Sequence, residues 1–311
     1  MNSYEALRRD AAWIDLSERG KIRVTGEDRA RLLHAMSTND VKDLQPGHGL
    51  YAFFLTAQGR ILADACIYNL GESLLLDTEP ETDAKLRDHL DKYIIADDAE
   101  LADETAEWAA LSMEGPQSYA RAALLGVPVP EKAYSVSEWN GGFVSRVASS
   151  STDGIRLFVP QESKSKLVER LDAAGLPEAS REIARVVRIE NGIPRYGEDI
   201  SERYLVQETQ AMHAVHFNKG CYLGQEIVER VRSRAQVHRH LSTVRIKDTR
   251  PPAPGTKLVS DGNNLAEITS AVFSPEFNEV AALAYVRTEA LASKPPMFVA
   301  ETDPPVSVYL P

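Results

Sequence analysis

The chain has 311 residues, 43% of them apolar and 26% charged, with a formal net charge of -11. This suits two or three domains with sizeable cores and excludes wholesale disorder, and the acidity argues against general binding to nucleic acid or anionic membranes. No apolar run approaches the roughly 18–20 residues that span a bilayer, the N-terminal segment lacks the apolar core and cleavage site of a secretory signal, and two cysteines make no disulfide framework, so a reduced, cytoplasmic protein is expected.

In chain order, the first clear helix follows Thr25. Thr25 and Asp28 have the spacing of a capping box, and Leu32, Leu33 and Met36 give the helix an apolar face. Strands are expected at Tyr51–Leu55 and Ile61–Tyr68, joined by a tight turn at Ala57-Gln58-Gly59-Arg60, and at Ser73–Leu76. Leu86, Leu90 and Tyr93 recur at helical spacing, and two more strands lie near Leu101 and Leu111. From Ser163 the pattern turns helical, first with Leu167, Val168 and Leu171, then with Ile183, Val186, Val187 and Ile189, a helix stopped by Asn191-Gly192 with Pro194 beyond. After Leu241 short β-rich pieces alternate with turn residues: Leu241–Ile246, Ala266–Val272, Val280–Val286, Met297–Ala300 and Val306–Tyr309. That spacing suits a small barrel or sandwich. The whole reads as α+β, with a domain boundary near residues 236–242.

The most unusual segment is Lys219-Gly220-Cys221-Tyr222-Leu223-Gly224-Gln225-Glu226. A cysteine is nucleophilic as thiolate, and neighbouring cations favour that form. From Lys219 to His240 five Lys and Arg oppose two Glu, a local +3 in a chain of -11. A reactive thiol beside an anion site is one reading. A small buried cysteine in a tight turn, followed by a solvated basic helix, is the other, and residue types alone favour it. His213, His216 and Cys221 invite a metal, yet a structural zinc site wants four ligands and no fourth is near; no metal is expected. Asp64 sits among apolar neighbours. Strand alternation would put it on one face with Leu62 and Cys66, where a buried acid must be paired or shift its pKa. Glu190 ends a helix where an acid opposes the dipole.

Together these residues resemble the YgfZ family of folate-binding proteins, relatives of the glycine-cleavage T protein and of the mitochondrial factor that helps assemble four-iron clusters. The Lys-Gly-Cys-Tyr-x-Gly-Gln-Glu run at 219–226 is similar to that family's signature; the T protein's version has no cysteine. Leu55-Thr56-Ala57-Gln58-Gly59-Arg60-Ile61-Leu62-Ala63-Asp64 resembles the T protein's turn and strand ending in an Asp pair. The second, catalytic Asp falls on Asp64, whereas the first becomes Ala63 and Gly-Gly becomes Gly59-Arg60. Arg188-Ile189-Glu190-Asn191-Gly192 and Tyr196-Gly197-Glu198-Asp199-Ile200 resemble the segment whose glutamate grips the pterin, a role that would fall on Glu190.

The resemblance implies three subdomains around a central hole, a T-protein-like region over residues 1–238 formed of two interleaved α+β subdomains, and a C-terminal antiparallel β-barrel over 239–311. It implies tetrahydrofolate or a one-carbon derivative as cofactor, held by Asp64, Glu190, Tyr196, Lys219, Gln225 and Arg230, with the basic stretch 230–239 receiving the folate's glutamate tail. Cys221 and Asp64 would be the catalytic residues, and iron–sulfur client or assembly proteins the partners. The implied function is assistance to iron–sulfur enzymes. The alternatives are a folate-dependent aminomethyltransferase using Asp64 and a redox module in which Cys221 is a thiol switch.

Overall fold

The computed structural model describes residues 1–234, 237–302 and 305–310. It begins with α1 (Ser3–Arg9), β1 (Ala12–Asp15), β2 (Gly20–Thr25), α2 (Arg29–Met36), β3 (Gly49–Leu55), β4 (Ile61–Asn69), β5 (Leu74–Thr78), α3 (Asp83–Asp91) and β6 (Glu100–Asp103). Next come β7 (Trp108–Glu114), α4 (Ser118–Leu124), β8 (Val136–Trp139), β9 (Gly142–Ser145), β10 (Gly154–Pro160), α5 (Lys164–Ala173), α6 (Arg181–Glu190) and, after an irregular segment, α7 (Gln225–Arg234). The chain closes with β11 (Arg239–Ile246), β12 (Lys257–Ser260), β13 (Asn263–Ser274), β14 (Glu279–Arg287), α8 (Thr288–Ser293), β15 (Met297–Val299) and β16 (Ser307–Tyr309).

These strands make three sheets. One five-stranded sheet has the order β1-β7-β10-β9-β8, a second has β3-β4-β5-β2-β6, and β11-β14-β13-β12-β15-β16 close into a barrel. All the strand pairs run antiparallel. The chain starts in the first sheet with β1, leaves to build the whole second sheet, and returns at β7. The architecture is α+β with a closed antiparallel C-terminal barrel, as the sequence leads one to expect. The expected boundary at 236–242 begins at Gln236, which lies outside the described residues.

Strand alternation decides what faces what. On β4, Ala63, Ala65 and Ile67 join the core under α2 and α3, while Cys66 and Tyr68 face the first sheet and pack with Ala110, Phe143 and Phe158. Asp64 shares that second face by register. Leu62 does not, contrary to expectation: the ladder pairs Leu55 with Ile61 and Phe54 with Ala63, so Leu62 is the extra residue of a bulge and joins the helix-side core instead. The expected capping box is also absent. Helix α2 starts only at Arg29, and the Asp28 carboxylate accepts from the Asp98 backbone N–H and from Arg31.

The turn before β4 forms as expected, with the Gly59 N–H donating to the Thr56 carbonyl. Its glycine is needed twice over. Its φ is +70°, and a Cβ there would meet Ile227 of α7 at 2.6 Å. Among the described residues no helix is long and apolar enough to cross a membrane.

Candidate functional site

A cavity of about 440 Å³ opens between the faces of the two five-stranded sheets, with α6 along one side. One wall is aromatic. Tyr51 of β3 stacks between Tyr134 (6.5 Å between centroids, 14°) and His213 (5.5 Å, 25°). Tyr134 holds φ at +62°, a left-handed conformation that is strained for a bulky side chain and persists only where the surroundings enforce it. Its N–H donates to the Arg146 carbonyl at 2.9 Å, and its own carbonyl lies where a Cβ on Gly49 would be 2.4 Å away. Gln210, three residues before His213, has the same sign of φ.

Asp64 lines the cavity and is 7% exposed. Its Oδ2 accepts from the Tyr51 hydroxyl at 2.6 Å, while Oδ1, itself enclosed, has no partner among the described residues. Burial, and next the nearby Glu79 charge, push its pKa up to about 6. It therefore exchanges a proton close to neutrality, as a general acid or base must. Two residues on, the Cys66 thiol is pushed up to about 12 by burial, which keeps it an inert thiol.

Beside these residues, along the neighbouring strand β5, the site is ionic. Arg19 donates from Nε to Asp77 Oδ1 at 2.6 Å and from Nη1 to Glu79. Arg156 of β10 pairs with the other oxygen of Asp77 and reaches Ser149 Oγ at 2.5 Å. Arg195 bridges Glu79 and Glu81 at 2.9 and 2.7 Å. Lys21, fully buried, gives its ammonium to the carbonyls of Ser17 and Arg19 at 2.8 and 2.7 Å, and burial draws its pKa down to about 8. Glu114 fixes the adjoining loop by accepting from the backbone N–H groups of Ser149, Ser150 and Ser151. On α6, Arg188 donates to Asp199 Oδ2 at 2.6 Å and to Glu198 at 2.5 Å. Asp199 Oδ1 accepts from Thr269 and Ser270, both at 2.6 Å, at a register shift in barrel strand β13.

Of the residues expected to hold a ligand, the structure brings only Asp64 to this cavity. Glu190 is buried elsewhere, its Oε1 accepting from Tyr4 of α1 at 2.8 Å and from Ser274 of β13 at 2.5 Å. In that position it joins α1 to the barrel, its Oε2 has no hydrogen-bond partner among the described residues, and it is not part of the lining of the cavity that Asp64 faces. Tyr196 lies against the Asp64 strand but donates to the carbonyls of Ile61 and Leu62. Lys219 gives its ammonium to the carbonyls of His34 and Ser37 at the end of α2, and burial lowers its pKa to about 7. Gln225 begins α7 half-buried, and Arg230 is exposed on it.

The stretch 230–239 does not border the cavity either. Arg232 lies over Phe217 and Arg239 pairs with Glu208; Ala235 and Gln236 are outside the described residues. Cys221 is exposed, which corrects the buried cysteine that residue types favour. His213 stands at the aromatic wall, and among the described residues no group of three or more His, Cys, Asp or Glu could hold a metal. The ionic wall is what sequence reasoning missed. One local signal is Arg181, Arg185 and Arg188 at helical spacing on α6, all of which line the cavity.

Comparison with known proteins places these features in a lineage. The GCVT N-terminal domain model matches residues 1–219. An aminomethyltransferase from Rubrobacter xylanophilus is 28% identical over 296 residues, covering 92% of this chain and 78% of the relative. One from Streptomyces coelicolor is 29% identical over 299 residues, covering 91% and 80%. The crystal structure of glycine cleavage system aminomethyltransferase T from Bartonella henselae superimposes with a TM-score of 0.90 over 99% of this chain and 87% of that one, at 20% identity, so the fold is shared.

Proposed function

Because this chain belongs to the GCVT N-terminal domain family, we propose that its cavity binds a reduced folate and that Cys221 serves the upkeep of iron–sulfur enzymes, as its YgfZ-like signature implies. The observation that carries the folate half is Asp64: a carboxyl poised near pH 6, with one oxygen unpartnered, facing a stacked aromatic wall in a cavity of about 440 Å³. Flat heteroaromatic rings stack on such walls, and a carboxylate accepts ring N–H groups.

A bound folate would supply nitrogen atoms that carry a one-carbon unit. The chain's part is to orient the ring against the outer rings of that stack and to hold or release a proton at Asp64. The cysteine half is supported by exposure: in the 219–226 run Lys219 and Tyr222 are buried, and Cys221 is presented to solvent.

A second reading, folate-dependent aminomethyl transfer, is favoured by the retained Asp64 and by relatives named aminomethyltransferase. Calorimetry with tetrahydrofolate under anaerobic conditions tests the folate half. Asp64→Ala is expected to weaken binding by roughly tenfold or more, and Glu190→Gln to leave it nearly intact. No saturable binding by the unaltered protein would retire both readings. For the cysteine half, Cys221→Ser should bind folate normally yet fail to restore iron–sulfur enzyme activity in cells lacking the protein; full restoration excludes a thiol mechanism. Release of a one-carbon unit from an aminomethyl donor by the purified protein would favour the transferase reading instead.

A further inference from the structure

We infer that a second cavity, bordered by Tyr134, is a binding site for a small neutral α-amino acid; the inference goes beyond the folate proposal and stands on other side chains. This cavity measures about 420 Å³, and Tyr119, Glu131, Arg146 and Asp153 bring it its polar groups. Tyr134, Val147 and Ala148 border both this cavity and the first.

Arg146 is half-buried and firmly held, but by neutral groups. Its guanidinium lies over the Tyr119 ring, 4.5 Å from the centroid. Its Nε donates to the Tyr119 hydroxyl at 3.1 Å, and its Nη1 donates to the Glu131 backbone carbonyl. Nη2 is left over, and the guanidinium forms no ion pair among the described residues. Glu131 is exposed and Asp153 half-buried. The Asp153 main chain is fixed, its carbonyl accepting from the Gly115 N–H at 3.0 Å and its N–H donating to Ser151 Oγ at 3.4 Å. Among the described residues neither the Glu131 nor the Asp153 carboxylate forms an ion pair. Other charges near the same sheet are paired, Arg121 with Asp10 and Lys164 with Asp15.

Charges of opposite sign that line one cavity without pairing leave both signs to an occupant. A simple anion is drawn to Arg146 but repelled by two carboxylates, and a simple cation meets the reverse. An α-amino acid carries a carboxylate and an ammonium on one carbon. Its carboxylate takes a charge-assisted hydrogen bond from Nη2, and its ammonium, with three donors, faces the carboxylates of Glu131 and Asp153. Ala133, Val147 and Ala148 in the lining suit a short side chain and offer no counter-charge to a longer, ionised one.

The test is calorimetry on the full chain with glycine, L-alanine and L-serine, against propionate and ethylamine, which carry one charge each. At least one of the amino acids is expected to bind roughly tenfold or more tighter than either control. Arg146→Gln and Asp153→Asn should each weaken that amino acid by about tenfold while leaving tetrahydrofolate binding unchanged. Should Arg146→Gln not fold, Asp153→Asn carries the test alone. Propionate or ethylamine binding as tightly as the amino acids would reveal a site for one charge only and overturn the proposal. So would no saturable binding of any amino acid, or binding unchanged in the variants. None of these results touches the folate proposal, which stands or falls on tetrahydrofolate itself.

Discussion

The cavity walls and the 219–226 segment use charged and polar residues in opposite ways. In the segment, Lys219 is turned inward onto two carbonyls of α2, Gly224 packs against the Thr56 carbonyl, and the buried hydroxyl of Tyr222 is pushed up to about 12 by burial. Nearly every distinctive residue there builds a platform, and Cys221 is what the platform displays. In the cavity the distinctive residues line the space itself, on scattered strands and loops, and several are held by partners far away in the chain, Arg19 by Asp77 and Arg195 by Glu81 among them. A contiguous motif can therefore be mostly scaffold, while a binding site can have no contiguous motif.

The contrast predicts where substitutions hurt. Asp77→Ala should be the most damaging, because it leaves the buried guanidiniums of Arg19 and Arg156 without their shared carboxylate. A loss of about 3–5 kcal/mol is expected, read by denaturant unfolding. Gly224→Ala comes next. Its φ of +82° and a Cβ only 2.6 Å from the Thr56 carbonyl predict a loss of ~2 kcal/mol or more. A loss well under that would mean that the segment is not pinned to the β3–β4 turn.

Asp64→Asn acts with the opposite sign. The folded pKa near 6 lies above the unfolded carboxyl value of about 3.9, so between those values the folded state holds more protons and stability falls as pH rises through the window. Asn mimics the protonated form. The variant should gain roughly 2 kcal/mol at pH 7 and little at pH 4, while losing ligand affinity. Equal effects at both pH values would mean that Asp64 titrates normally. The smallest change is expected for Cys221→Ser, within about 0.5 kcal/mol. A thiol reagent should label Cys221 in the folded protein and reach Cys66 only after unfolding.

These differences also explain what the sequence could show. Period-two and helical patterns located β3, β4, α3, α5, α6 and most barrel strands, because their cores are local in pattern. Residues 10–24 and 118–160 gave no such signal. They hold β1, most of β2, α4, β8, β9 and β10, and the connections that carry Arg19 and Tyr134. Asp64 was legible because a carboxylate inside an apolar strand breaks the pattern. Arg156 breaks it equally, between Ile155 and Leu157, and is the signal that could have been read. Asp77 and Glu79 could not, since their meaning comes from arginines 58 and more residues away. The capping-box spacing at Thr25 misled, because Asp28 has a better use for its carboxylate in binding the Asp98 amide and Arg31.

Among the described residues the barrel contributes no side chain to the cavity lining, yet it is not a passenger. Thr269 and Ser270 grip one oxygen of Asp199, and the other oxygen takes Arg188 and the Arg195 backbone N–H. Both arginines stand in the cavity wall. A truncated chain ending before β11 would lose the Thr269 and Ser270 contacts to Asp199 and present a slackened receptor even with both sheets formed, so domain dissection would misattribute to the C-terminal part a recognition role that it plays only by holding another part's shape.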